Sequence, residues 1–135
     1  MSLIHKAGLL LVRDGRMLLC RRRRNSGCLI LPGGKFERGE SGKECLAREI
    51  REELGDVRLN GIEHIGTYSD EAAEPGKRIC VELYCAGLEG APAACSEIEE
   101  LVWFGQADDR AQLAPSLVNK IIPDLVARGI LPWCE

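Results

Sequence analysis

The sequence predicts an α+β chain, and three observations carry that prediction. Two apolar, strand-like segments near the N-terminus are joined by Asp14-Gly15, a strong hairpin-turn pair. A helix with recognisable ends runs between Ser41 and Gly55. Strand patterns then recur until a second helical stretch near the C-terminus, so the order β-β-loop-α-β-β-β-α describes one domain over residues 1–135.

Each element has its own local reason. Ala7 to Arg13 is largely apolar and leads through Asp14-Gly15 into a second strand, Met17 to Arg23. Leu31-Pro32-Gly33-Gly34 reads as a turn whose paired glycines let the backbone approach a ligand closely. Ser41 and Glu44 have the S-x-x-E spacing of a capping box, which makes Ser41 the N-cap. Leu46, Ile50 and Leu54 form the apolar stripe of that helix, with Cys45 and Ala47 at its margins, and Gly55 stops it. Gly61 to Tyr68 reads as a strand, and Asp70 to Lys77 as a polar hairpin loop. Arg78 to Ala86 alternates, with Ile79, Val81, Leu83 and Cys85 on one face. Glu99 to Gly105 is a short strand whose Trp103 and Phe104 are expected in the core rather than stacked on a ligand. Ser116 to Arg128 reads as a helix stopped at Gly129, with Pro123 kinking it or ending its first half.

Composition narrows the class. A chain of 135 residues with 45% hydrophobic and 29% charged residues suits a globular domain. A net charge of −3 argues against general nucleic-acid binding, which shows a basic excess. No apolar run approaches a bilayer span and no secretory signal is visible, so no membrane role is expected. The 7 cysteines include no C-x-x-C pair, which argues against a zinc site of paired short spacings and against a secreted disulfide framework. Cys20, Cys45, Cys80 and Cys85 sit in apolar patterns and are expected to be small buried hydrophobes, with Cys134 exposed. That usage predicts a reduced, cytoplasmic protein. A homodimer is compatible with the sequence, which does not encode oligomeric state legibly.

The chemistry concentrates in Gly34 to Gly55. Glu49, Glu52 and Glu53 are related as i, i+3 and i+4, so their carboxylates share one helix face. That face lies roughly 100–120° from the apolar stripe, at 100° per residue. Like charges so placed destabilise an isolated helix by a few tenths of a kcal/mol per pair. A hard cation turns the repulsion into ligation, because Mg²⁺ takes carboxylate oxygens and keeps waters that a phosphate can replace. A solvated, salt-bridged helix is the usual meaning of Glu/Arg-rich segments, and it explains Arg48 reaching Glu44 or Glu52. It leaves the glycine turn, Glu40 and the adjacent pair Glu52-Glu53 unexplained.

This segment resembles the Nudix box, G-x5-E-x7-R-E-U-x-E-E-x-G-U, where U is bulky and apolar. Gly34, Glu40, Arg48, Glu49, Glu52, Glu53 and Gly55 match every fixed letter, and Ile50 fills the first apolar position. The last position departs, with Asp56 there and Val57 one residue later. The resemblance implies a mixed sheet sandwiched between helices, an α/β/α Nudix fold. It implies Mg²⁺ or Mn²⁺ on Glu49, Glu52, Glu53 and the Gly33 carbonyl, with Arg48 orienting the first of these glutamates and Glu40 behind them. It also implies an arginine from the end of the second strand on the substrate phosphates. Arg21-Arg22-Arg23-Arg24 is the one basic run, and Arg21 or Arg23 is the expected residue. The general base varies within the family; box glutamates, with Glu97, Glu99 and Glu100 before the last strand, are the candidates.

The activity implied is hydrolysis of a nucleoside diphosphate linked to X, a small-molecule nucleotide, and the compact plan is similar to MutT-like nucleoside triphosphate pyrophosphohydrolases. ADP-ribose, dinucleoside polyphosphates and RNA 5′-triphosphates are the alternatives. Asn119 stands three residues beyond Leu113-Ala114-Pro115-Ser116, where a base-reading asparagine is expected, which argues against selectivity for an oxidised guanine. Pro75 is too far from the box and Tyr68 too early to mark ADP-ribose or dinucleoside polyphosphate hydrolases. A non-catalytic nucleotide-sensing module is the alternative of another class. Such modules usually lose box glutamates, and this chain keeps them all.

Overall fold

The computed structural model describes residues 2–24, 27–72 and 74–134. Its strands are β1 (Ser2–Leu10), β2 (Val12–Arg13), β3 (Arg16–Arg22), β4 (Gly33–Lys35), β5 (Arg58–Glu71), β6 (Lys77–Glu89) and β7 (Ile98–Phe104). The helix α1 spans Gly42–Leu54, and a 3₁₀ turn (Arg110–Gln112), a π-helical turn (Leu117–Ile121) and α2 (Ile122–Ala127) follow β7. A mixed sheet has the order β4-β1-β6-β5, with β1 parallel to β6, and a second, antiparallel sheet has the order β2-β3-β7.

The sheets lie between two apolar layers. On one side Leu46, Ile50 and Leu54 of α1 pack on Ala7, Leu9, Leu18 and Tyr84. On the other, Leu117, Ile121, Ile122 and Leu125 pack on Leu19, Val81, Leu83 and Phe104. The expected α/β/α layering and the apolar face Ile79-Val81-Leu83-Cys85 are therefore borne out. The hairpin at Asp14-Gly15 forms with φ of 52° and 75°, as a two-residue turn of this kind requires.

Several boundaries move. β1 begins at Ser2 rather than Ala7, because a parallel ladder with β6 gives its polar first half backbone partners. Leu11 then separates β1 from β2. β5 and β6 pair as far as Glu71 and Arg78, which shortens the expected loop; Ala73 of that loop lies outside the described residues. The C-terminal helix opens with one π-helical turn. Pro123 has no N–H to give the carbonyl four residues back, and the wider turn absorbs that missing bond before α2 continues. Gly129, at φ 72°, ends it. Cys20 and Cys45 are buried as expected, Cys80 and Cys85 only half-buried, and Cys134 exposed. Among the described residues no helix is long and apolar enough to cross a membrane.

Candidate active site

Local caps and close backbone approaches position the acidic face of α1. Ser41 Oγ accepts from the Glu44 amide at 3.2 Å and Glu44 Oε1 from the Ser41 amide at 2.9 Å, which fixes where α1 starts. The two glycines before it have separate jobs. Gly33 sits at φ 138°, and a Cβ there would lie 2.0 Å from the Ala7 carbonyl oxygen on β1. At Gly34 a Cβ would lie 2.0 Å from Glu49 Oε1, so glycine lets that carboxylate rest against β4. The turn expected there is in fact a short strand paired with β1.

Glu53 is the buried member of the set, with its side chain 5% exposed. Its Oε1 accepts from the Gly33 amide at 2.9 Å and its Oε2 from Arg22 Nη2 at 2.7 Å. The same Nη2 donates to the Gly33 carbonyl at 2.8 Å. Burial pushes the Glu53 carboxyl above its ordinary pKa, against the downward pull of Arg22 and the Gly33 amide. Burial, with Glu53 and then Glu52 as like-charged neighbours, also raises Glu49. Arg48 does not reach Glu44 as the sequence spacing allowed. It grips Glu40 with two bonds, of 2.6 and 2.9 Å, and its Nη1 stands 3.4 Å from Glu52 and 3.5 Å from Glu49. That grip, with the Glu37 amide, holds the Glu40 carboxyl down to about 2.

These groups border a cleft of about 600 Å³. Glu49, Glu52, Arg48, Arg22, Arg24 and Lys6 line one part of it, and Ile4, Ile79, Val81 and Leu117 line another. Arg21 and Arg23, the arginines expected on the substrate phosphates, do not line the cleft. Arg21 turns to Glu100 on β7 at 2.8 Å, and Arg23 is bonded to Ser96 at the exposed strand end. Arg22 and Arg24 face the cleft instead; strand alternation left that parity open, and the ladder shifts register between Arg21 and Arg22. Of the three later glutamates only Glu97 lines the cleft, 4.0 Å from Arg24. Glu99 is exposed, and Glu100 is taken up by Arg21. Trp103 and Phe104 stay out of the cleft, and Asn119 is bonded to Asp70.

Sequence reasoning also missed Lys6, which lines the cleft at 8% exposure and has no ion pair among the described residues. Burial and the nearby Arg22 lower its pKa. The sequence carried little signal for it, since Lys6 stands just before the apolar run Ala7 to Arg13, and its burial follows from the β1–β6 ladder.

The donor set of Glu49, Glu52, Glu53 and the Gly33 carbonyl is all oxygen, the class a hard divalent cation takes. The guanidinium of Arg22, seated on Gly33 O and Glu53 Oε2, shows that these oxygens already stabilise a cation. Among the described residues the three carboxylates do not lie within 4.8 Å of one another, and Glu52 is the exposed member of the set.

A NUDIX domain family model matches residues 4–124. The chain belongs to the Nudix family. It is 36% identical over 136 residues to the CTP pyrophosphohydrolase of Escherichia coli, a match covering 98% of each chain. It is 36% identical over 96 residues to the ADP-ribose pyrophosphatase of Methanocaldococcus jannaschii, covering 68% of this chain and 56% of that one. The crystal structure of a MutT NUDIX hydrolase from Burkholderia pseudomallei superposes with a TM-score of 0.75 at 31% identity, over 87% of this chain and 95% of the other. The chain is thus a hydrolase acting on phosphorus anhydride bonds.

Proposed function

We propose that this Nudix hydrolase is a Mg²⁺-dependent pyrophosphohydrolase that cleaves a nucleoside triphosphate to the monophosphate and pyrophosphate. The observation that carries the reading is that three cations, Lys6, Arg22 and Arg24, line the same cleft as Glu49 and Glu52. A polyphosphate brings negative charge that matches those cations and would leave three carboxylates repelled unless a metal came with it. The family resemblance and the all-oxygen donor set support Mg²⁺ or Mn²⁺ on Glu49, Glu52, Glu53 and Gly33 O. Such an ion neutralises phosphate charge and lowers the pKa of a bound water.

The chain's own residues would do the rest. Arg22, now bonded to Gly33 O and Glu53, would offer its two-pronged guanidinium to a phosphate if those oxygens held the ion. Lys6 supplies a buried positive charge, strengthened by its low-dielectric surroundings. Arg48 holds Glu40, Glu49 and Glu52 so that they need not reorganise during reaction. A box glutamate serves as general base, and Glu97 is the one candidate outside the box that lines the cleft. The aliphatic walls of Ile4, Ile79, Val81 and Leu117 favour a nucleoside held by dispersion and apolar contact rather than by base-edge hydrogen bonds.

The end-to-end likeness to a CTP pyrophosphohydrolase favours triphosphates over ADP-ribose, for which the likeness is partial. The test is ³¹P NMR of Mg²⁺ reactions with the four ribonucleoside triphosphates, ADP-ribose and a dinucleoside polyphosphate. Pyrophosphate and a monophosphate as the first products, fastest from a triphosphate, are expected. Turnover confined to ADP-ribose would move the reading to that substrate, and tight binding with no turnover would replace it with a sensing module.

A further inference from the structure

We propose a second metal centre, on the sheet face opposite the cleft, in which His5, Cys80 and Glu82 bind Zn²⁺ or a chemically similar borderline cation. His5 and Cys80 are direct partners across the β1–β6 ladder, and Glu82 follows Cys80 by two residues and so shares its face. The alternate residues of the same strands, Lys6, Ile79 and Val81, line the cleft. The two sites therefore lie back to back across the sheet.

The ligand atoms of the three residues lie within 4.8 Å of one another, the one such group of histidine, cysteine and acidic side chains among the described residues. His5 Nε2 stands 3.1 Å from Glu82 Oε2. In a tetrahedral zinc centre with bonds of about 2.0–2.1 Å, neighbouring ligand atoms are roughly 3.3 Å apart. The His5–Glu82 separation is already of that size, and the Cys80 sulfur lies within 4.8 Å of both.

The ligands are also held in place. The His5 ring stacks on Phe36 with centroids 4.3 Å apart and planes at 15°. Glu82 Oε1 accepts from Thr67 Oγ1 at 2.6 Å and faces His64 Nε2 at 3.1 Å, which pins the carboxylate and leaves Oε2 for a metal. A purely polar network explains the imidazoles and the carboxylate. It does not explain Cys80, a free, half-buried thiol turned into that network with no hydrogen bond of its own among the described residues.

Ligand chemistry separates the two centres. Thiolate and imidazole select Zn²⁺ and its neighbours and are poor ligands for Mg²⁺, which prefers the oxygens across the sheet. The spacing is invisible to a search for paired cysteines, because β1 supplies one ligand and β6 the other two.

Cobalt(II) reports on such a site through its thiolate charge-transfer absorption. We would titrate the whole protein with Co²⁺ in excess Mg²⁺, alongside Cys80→Ser, Cys80→Ala, His5→Ala and Glu53→Gln. One Co²⁺ per chain with a thiolate band, displaced by Zn²⁺, is expected. The band should vanish in both Cys80 variants, persist in Glu53→Gln, and need about tenfold or more Co²⁺ in His5→Ala. Circular dichroism of the two Cys80 variants separates loss of the ligand from loss of the fold. No thiolate band in the wild type, a band surviving in folded Cys80→Ser, or loss of the band in folded Glu53→Gln would each overturn the proposal.

Discussion

Replacing Arg22 by Met probes how the acidic site is held together. In the wild type one guanidinium nitrogen lies 2.7 Å from Glu53 Oε2 and 2.8 Å from Gly33 O. The Glu53 side chain is 5% exposed and that of Arg22 24%, so the pair is largely out of water. Removing one partner of a buried pair costs about 3–5 kcal/mol, because the remaining charge is left without its counterion. Arg22 is partly solvated, which puts the expected loss near the lower end, about 3 kcal/mol. At roughly 3 °C per kcal/mol for a chain of this size, Tm should fall by about 10 °C in EDTA. On the proposed reading, Mg²⁺ would compete with the guanidinium for the same oxygens. Without Arg22 it should therefore bind more tightly, and saturating to about 100 times Kd adds about 2.7 kcal/mol. Thermal melts of both proteins in EDTA and in a Mg²⁺ series read this directly. The variant should melt lower in EDTA yet gain more from Mg²⁺ than the wild type. An unchanged Tm in EDTA, or equal Mg²⁺ increments in the two proteins, would refute the claim that Arg22 and the metal share ligands.

Three other perturbations have expected outcomes. Gly34→Ala places a Cβ about where Glu49 Oε1 now lies, at 2.0 Å, so the carboxylate must leave; turnover should drop on the order of 10²-fold while circular dichroism stays native. Lys6→Met removes a buried, unpaired cation and keeps its length, so chemical denaturation should show equal or greater stability. The same variant loses a charged contact to phosphate worth roughly 1.5–3 kcal/mol, and KM should rise about tenfold or more. Glu40 has its folded pKa depressed to about 2 by Arg48 and the Glu37 amide, so its stabilising effect is complete above the unfolded carboxylate value and is lost as pH falls toward 2. The difference in urea midpoints in EDTA between wild type and Glu40→Gln should therefore narrow from pH 7 to pH 3 without vanishing.

What the sequence made legible was local. Ser41 and Glu44, Asp14-Gly15 and the Leu46-Ile50-Leu54 stripe need only their neighbours to be understood, and each formed where expected. What it hid depends on elements far along the chain. The polar start of β1 is a strand because β6 lies beside it, a partner more than 70 residues away. The choice of Arg22 over Arg21 or Arg23 is one of parity, decided by which sheet face meets α1 and by the register shift against β7. Gly34 reads as a turn residue, yet its role is to leave room for Glu49, 15 residues on. The box letters gave the identities of the acidic residues but not their partners; Arg48 turned out to serve Glu40 first.

On the proposed reading, a metal held by the acidic face of α1 drives cleavage of a phosphoanhydride. The most direct test of that reading is Mg²⁺-dependent pyrophosphate release from the four ribonucleoside triphosphates by wild type and Glu53→Gln in parallel. Release should need Mg²⁺ or Mn²⁺ and fall on the order of 10²-fold or more in the folded variant. Release that persists in EDTA, or at wild-type rates in Glu53→Gln, would contradict it.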